Sequence, residues 1–174
     1  MSQENVFIFG LGAIGSFYAY VLSEAKTRVT VCGRSNYDAV KQNGMNFQSE
    51  KFGKHDGYKF AEGMYSVSLD FLYLTQSIVV KTPSDPACAS VKYSYVVCSH
   101  KAVASTPSAP EQIVPVVSAE TTIVLIQNGI GNEEEFRARF PNNVICSGVV
   151  RPIAHGISSL GTYDGTDVGR RNTA

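Results

Sequence analysis

The sequence predicts an α/β domain built on a doubly wound, mostly parallel sheet. Two observations carry that expectation. Short apolar, β-forming runs recur along the chain, at residues 6–9, 28–33, 93–99, 121–126 and 144–150, with helical stretches between several of them. Strands that alternate with helices require crossover connections, and these produce parallel sheets covered on both faces. The second observation is local. The first run leads directly into Gly10, Gly12 and Gly15, spaced G-x-G-x-x-G, and a plausible helix over residues 16–22 follows.

Each glycine has a separate physical task in a strand–turn–helix context. Gly10 makes the tight turn, Gly12 lets the backbone approach a pyrophosphate, and Gly15 lets helix and strand pack closely. The helix start adds free N–H groups and the positive end of a dipole. The loop Gly10, Leu11, Gly12, Ala13, Ile14 and Gly15 is therefore the candidate dinucleotide cradle.

The second strand, at 28–33, has alternating apolar positions and is followed at once by Arg34. An acidic residue about 20 positions past the glycines would take the ribose 2′-hydroxyl of NAD. No Asp or Glu stands there. A guanidinium suits a 2′-phosphate through charge-assisted, bidentate contacts, so the sequence favours NADP as cofactor.

Residues 37–43 read as a short helix stopped by Gly44, and 45–48 as a strand. Residues 51–60 mix glycine, charge and aromatics, as an edge hairpin or loop does. Residues 64–76 have apolar side chains with neither helical nor strand period; they read either as an additional strand pair or as an irregular insertion, at about 63–78, into the βαβ layout. After the strand at 93–99 comes a proline-rich turn, then a helix at 111–117 that Pro115 shortens or kinks. The strand at 121–126 ends in Gln127, Asn128 and Gly129. Asn132 then reads as the N-cap of a helix with Glu133, Glu134 and Glu135 in its first turn, running to Phe140 and stopped by Pro141. Beyond the strand at 144–150, glycines punctuate a polar stretch without apolar period. Residues 1–150 are thus expected to form the dinucleotide domain, and 151–174 a poorly ordered tail.

Composition narrows the class. Of 174 residues, 44% are hydrophobic and 17% charged, which predicts a soluble globular chain with a real core. Fifteen basic and fifteen acidic residues cancel, so no field favours nucleic acid or an anionic membrane. The N-terminus lacks the pattern of a signal peptide, and residues 64–80 are too polar to span a bilayer. Cys32, Cys88, Cys98 and Cys146 form no C-x-x-C pair, and the three histidines show no metal-ligand spacing. Reduced thiols, a metal-free chain and a cytoplasmic location are expected.

Ligands of open parallel sheets bind beyond the carboxyl ends of the strands. Besides the glycine loop, two segments put polar groups there: Ser99-His100-Lys101 and Gln127-Asn128-Gly129. An ammonium and an amide beside a nicotinamide would hold a carboxylate and polarise a carbonyl for hydride attack. From position alone, Lys101 reads equally as a solvated lysine at a helix entry, and Asn128-Gly129 as an ordinary turn. His100 ranks below Lys101, as an incidental loop residue.

With these residues in view, the chain resembles the ketopantoate reductase family of NADP-dependent 2-oxo acid reductases. The likeness lies in FGLGAIGS, the Gly33-Arg34 pair after the second strand, YSYVVCSHKAV and IVLIQNGIGNEEEF, over roughly the first 150 residues. It implies an N-terminal Rossmann domain in which Lys101 and Asn128 line the cofactor and substrate cleft and act at the reacting end. The substrate implied is a small 2-oxo acid, ketopantoate, on the route to pantothenate. Family members continue into a helical C-terminal domain that supplies a general-acid lysine and a substrate-binding glutamate. Nothing after Val150 has that pattern, so the domain is expected to be missing. The resulting exposed apolar surface makes pairing into a homodimer an expectation. Residues 64–76 also have no counterpart in the resemblance. Translated intron sequence there, and a shifted reading frame near the end, would account for both departures.

Overall fold

The computed structural model describes residues 4–49, 52–59, 62–63, 75–76 and 78–149. The expected insertion at about 63–78 falls mostly, and the expected tail entirely, outside the described residues.

Six strands form one all-parallel sheet: β1 (Asn5–Phe9), β2 (Arg28–Cys32), β7 (Ile78–Val80), β8 (Tyr95–Cys98), β9 (Thr122–Gln127) and β10 (Ile145–Val149). Their order is β7-β2-β1-β8-β9-β10, with β1 at the centre and the direction of winding reversing beside it. That is the doubly wound arrangement, with its ligand crevice at the switch point between β1 and β8. Among the described residues four α-helices accompany the sheet: α1 (Ala13–Glu24), α2 (Tyr37–Asn43), α3 (Ala109–Ile113) and α4 (Glu133–Arg139).

β1 shows why the sheet is covered on both faces. Phe7 and Phe9 point into one core with Val96, Cys98, Ile113, Leu125 and Phe136. Val6 and Ile8 point into the other, with Val29, Val31, Ala19 and Tyr20. Phe7 and Ile8 are both fully buried. Each such side chain contributes about 1.5–3 kcal/mol on leaving water.

Several elements differ from the sequence reading, each for a local reason. α1 starts at Ala13, inside the glycine loop, rather than at residue 16. β2 does not alternate: Val29 to Cys32 are all buried, and Thr30 is accommodated because Tyr93 donates to its hydroxyl at 3.1 Å. α3 ends at Ile113 and continues only as a 3₁₀ turn over Val114–Val116, where Pro115 has no N–H to extend an α-helix. β7 starts at the far boundary of the stretch expected to be irregular and is not anticipated from the sequence; it pairs with β2 and buries Val80.

Between α2 and β7 the chain inserts an antiparallel hairpin of β3 (Met45–Ser49) and β4 (Gly53–Tyr58). Gly44 ends α2 at φ 79°, and a Cβ there would lie 2.6 Å from the Gly57 carbonyl oxygen, so only glycine fits. The hairpin packs on α1 through aromatic rings: Phe47 and His55 stack at 4.6 Å, and Tyr20 lies against both at 4.5 and 4.7 Å. A two-residue antiparallel pair, β5 (Glu62–Gly63) with β6 (Thr75–Gln76), brackets residues 64–74.

Candidate cofactor and active site

The glycine loop is held so tightly that two of its glycines have no alternative. Gly10 has φ 101°, and its N–H donates to the Cys32 carbonyl at 3.2 Å. A Cβ on Gly10 would stand 2.6 Å from the His100 nitrogen, and one on Gly15 would stand 1.9 Å from the Gly10 carbonyl oxygen. Gly12 is different. It is exposed, and a Cβ there would meet nothing within 4 Å. It is the N-cap of α1, with no side-chain cap and no acidic residue in the first turn. The first N–H groups of a helix have no intrahelical acceptor, so this end is a ready anion site.

Two side chains outside the motif fix the loop. Ser99 Oγ donates to the Gly10 carbonyl at 2.7 Å, and the buried Asn36 amide donates to the Leu11 carbonyl at 2.5 Å. Leu11 itself is buried in the core, so of the six cradle residues it contributes scaffold and no exposed side chain. Ala13 and Ile14 are half-buried at the helix start. Asn36 escaped the sequence reading; a polar residue shortly after a strand end was its only signal.

Arg34 lies exposed just beyond β2. Its charge reaches the β8 end, where it and, more strongly, burial push the His100 imidazole below its ordinary pKa of 6.5. His100 is therefore neutral at pH 7. Gln127 Nε2 donates to the His100 carbonyl at 2.9 Å and faces His100 Nε2 at 3.2 Å. That arrangement makes Nε2 the acceptor and leaves the proton on Nδ1. His100 Nδ1 and Gln127 Oε1 are both buried without a hydrogen-bond partner among the described residues. Far from an incidental loop residue, His100 is the junction of three strand ends, its ring edge-on to Phe9 at 4.9 Å.

Cys98 on β8 pairs with Leu125 on β9, and Lys101 and Asn128 stand equally far beyond those partners. The topology so brings both to the carboxyl edge of adjacent strands, and both are exposed. A cavity of about 280 Å³ opens at the same edge, lined by His100, Val103, Gln127, Asn132, Glu135 and Phe136 among others. Neither Lys101 nor Asn128 lines it. Asn132 does not cap α4 through its side chain; its Nδ2 instead donates to the Asn128 carbonyl at 2.9 Å and closes that turn.

The remaining chemistry is quiet. Cys32, Cys88 and Cys98 are buried free thiols, and burial pushes Cys32 up to about 12. No group of His, Cys, Asp or Glu among the described residues is placed to hold a metal, and no helix among them is long and apolar enough to cross a membrane.

The geometry fits a nicotinamide dinucleotide: an open Gly12, a helix start without a competing carboxylate, and cationic or amide groups at the adjoining strand ends. Comparisons with known proteins agree. The family model for ketopantoate reductase PanE/ApbA matches residues 6–163, past the boundary at Val150. A 2-dehydropantoate 2-reductase of Nostoc sp. is 23% identical over 94% of this chain and 48% of its own. The 2-dehydropantoate 2-reductase structure from Methylococcus capsulatus is 29% identical with a TM-score of 0.64, over 83% of this chain and 40% of that one. A ternary structure of D-mandelate dehydrogenase with NADH and anilino(oxo)acetate shares the fold at 17% identity and a TM-score of 0.61, again over 83% and 40%. The chain thus spans about half the length of the curated relative.

Proposed function

The chain belongs to the PanE/ApbA ketopantoate reductase family, and on that premise we propose that it is the NADP-binding part of a 2-dehydropantoate 2-reductase-like oxidoreductase. The bound cofactor supplies hydride to the C2 carbonyl of ketopantoate, a step of pantothenate synthesis.

The observation that carries this reading is the open face of Gly12 at the uncapped start of α1, with Arg34 at the end of the neighbouring strand. Gly10 and Gly15 hold the turn, and the N–H groups of Gly12, Ala13 and Ile14 take the pyrophosphate. The D-mandelate dehydrogenase relative carries NADH, so the choice of NADP rests on this chain's own Arg34 and on the want of an acidic residue in its place. At the other end, the Lys101 ammonium attracts the substrate carboxylate. The Asn128 amide donates to the carbonyl oxygen, where negative charge develops as hydride arrives.

The test is to mix the purified chain with NADPH and ketopantoate and follow NADPH oxidation, with pyruvate as a second 2-oxo acid. Turnover that prefers ketopantoate supports the full reading. Turnover that prefers pyruvate means a reductase of another 2-oxo acid. Saturable NADPH binding without turnover reduces the chain to a non-catalytic NADP-binding protein, and no binding overturns the proposal.

A further inference from the structure

Beyond the end of β2 the chain gathers cations around one aromatic ring. Tyr37 opens α2, and Lys41, one turn later, donates from Nζ to its hydroxyl at 2.7 Å. Lys81 comes from a different strand, immediately after β7, and its Nζ lies 5.8 Å from the centre of the Tyr37 ring. The register explains the meeting. Cys32 pairs with Val80, and the Gly33 N–H donates to the Val80 carbonyl at 3.0 Å, so the segments carrying Arg34 and Lys81 leave the sheet side by side.

Two carboxylates answer these three cations, Asp38 and Asp85, and the charge of both reaches Lys41. Lys81 Nζ stands 3.9 Å from Asp38 Oδ2, with 60% and 86% of the two side chains exposed. A pair so long and so solvated contributes almost nothing and exchanges readily for a stronger anion. The excess positive charge sits where the adenosine ribose of a dinucleotide lies in a doubly wound sheet, beyond the second strand.

We propose that Lys81 is a second specificity-determining cation of the cofactor site, meeting the 2′-phosphate of NADP from the β7 side while Arg34 meets it from the β2 end. This rests on the reading that the glycine loop takes NADP. The phosphate carries nearly two negative charges and three acceptor oxygens; a guanidinium satisfies two oxygens with one charge, and a mobile ammonium suits the remainder. The Tyr37 face holds that ammonium near the site by a cation–π contact. Asp38 opposes the phosphate and competes for Lys81.

The test is a fluorescence titration with NADPH and, separately, NADH, on the unaltered chain and on Lys81→Gln, Lys81→Arg, Asp38→Asn and Arg34→Ala. All three positions are exposed. Lys81→Gln is expected to weaken NADPH about tenfold and leave NADH unchanged. Lys81→Arg retains the preference, and Asp38→Asn tightens NADPH. An unchanged NADPH-to-NADH ratio in Lys81→Gln, alongside a collapsed ratio in Arg34→Ala, overturns the role of Lys81 and leaves the NADP reading standing. Equal loss of both nucleotides in Lys81→Gln also overturns it. An unaltered chain that shows no preference for NADPH removes the reading itself.

Discussion

Gln127 Nε2 donates to the main-chain carbonyl of His100 at 2.9 Å, and that bond joins the end of β9 to the end of β8. Ser99 continues the linkage to the glycine loop through its 2.7 Å bond to Gly10. The ends of β1, β8 and β9, which carry the proposed cofactor and substrate groups, are thereby tied together by two side chains.

Gln127→Leu removes the donor while keeping the volume, and leaves a carbonyl unpaired in a mostly buried place. The expected cost is about 1–3 kcal/mol. Urea denaturation should show a lower midpoint with an unchanged slope, because the surface exposed on unfolding stays the same.

His100 predicts a pH dependence with a definite sign. Burial, then the charge of Arg34, lowers its folded pKa below 6.5, so the unfolded chain binds its proton more readily. Stability therefore rises with pH in this window, and falls as pH drops through 6.5 toward the folded value. The contribution is fully present above 6.5. In His100→Leu the melting temperature should fall less between pH 7 and acid than in the unaltered chain. An identical fall in both would contradict the assignment.

Gly12→Ala and Gly15→Ala separate the two uses of glycine in one motif. A Cβ at Gly15 would meet backbone at 1.9 Å, whereas at Gly12 it meets nothing within 4 Å. Gly15→Ala should unfold or severely destabilise the domain, by several kcal/mol, about the upper range for single substitutions. Gly12→Ala should melt near the parent temperature and lose nucleotide binding, because the added methyl occupies the space of the pyrophosphate. Calorimetry and nucleotide titration of both variants check the contrast.

The parts of this architecture most legible in the sequence were those fixed by local chemistry. The glycine spacing between an apolar strand and a helix places β1, the turn and α1 together, since at Gly10 and Gly15 no other residue tolerates the backbone approach. Continuous apolar runs gave β8, β9 and β10 within a residue or two. β7 escaped because three residues, flanked by Ser77 and Lys81, carry too little pattern, and only pairing with β2 makes them a strand. His100 was undervalued for a related reason. Its importance comes from Phe9, Gln127 and Gly10, contacts between distant segments that no window along the chain contains. Lys101 and Asn128 were correctly placed at the sheet edge, but the cavity beside them is lined by their neighbours His100 and Gln127 instead.

Nucleotide choice is the most direct test of the account. Titration of the purified chain with NADPH and NADH should give tighter binding of NADPH, and Arg34→Ala should weaken NADPH by about tenfold or more while sparing NADH. Equal affinity for the two nucleotides, or an Arg34→Ala chain that keeps its preference, would contradict it.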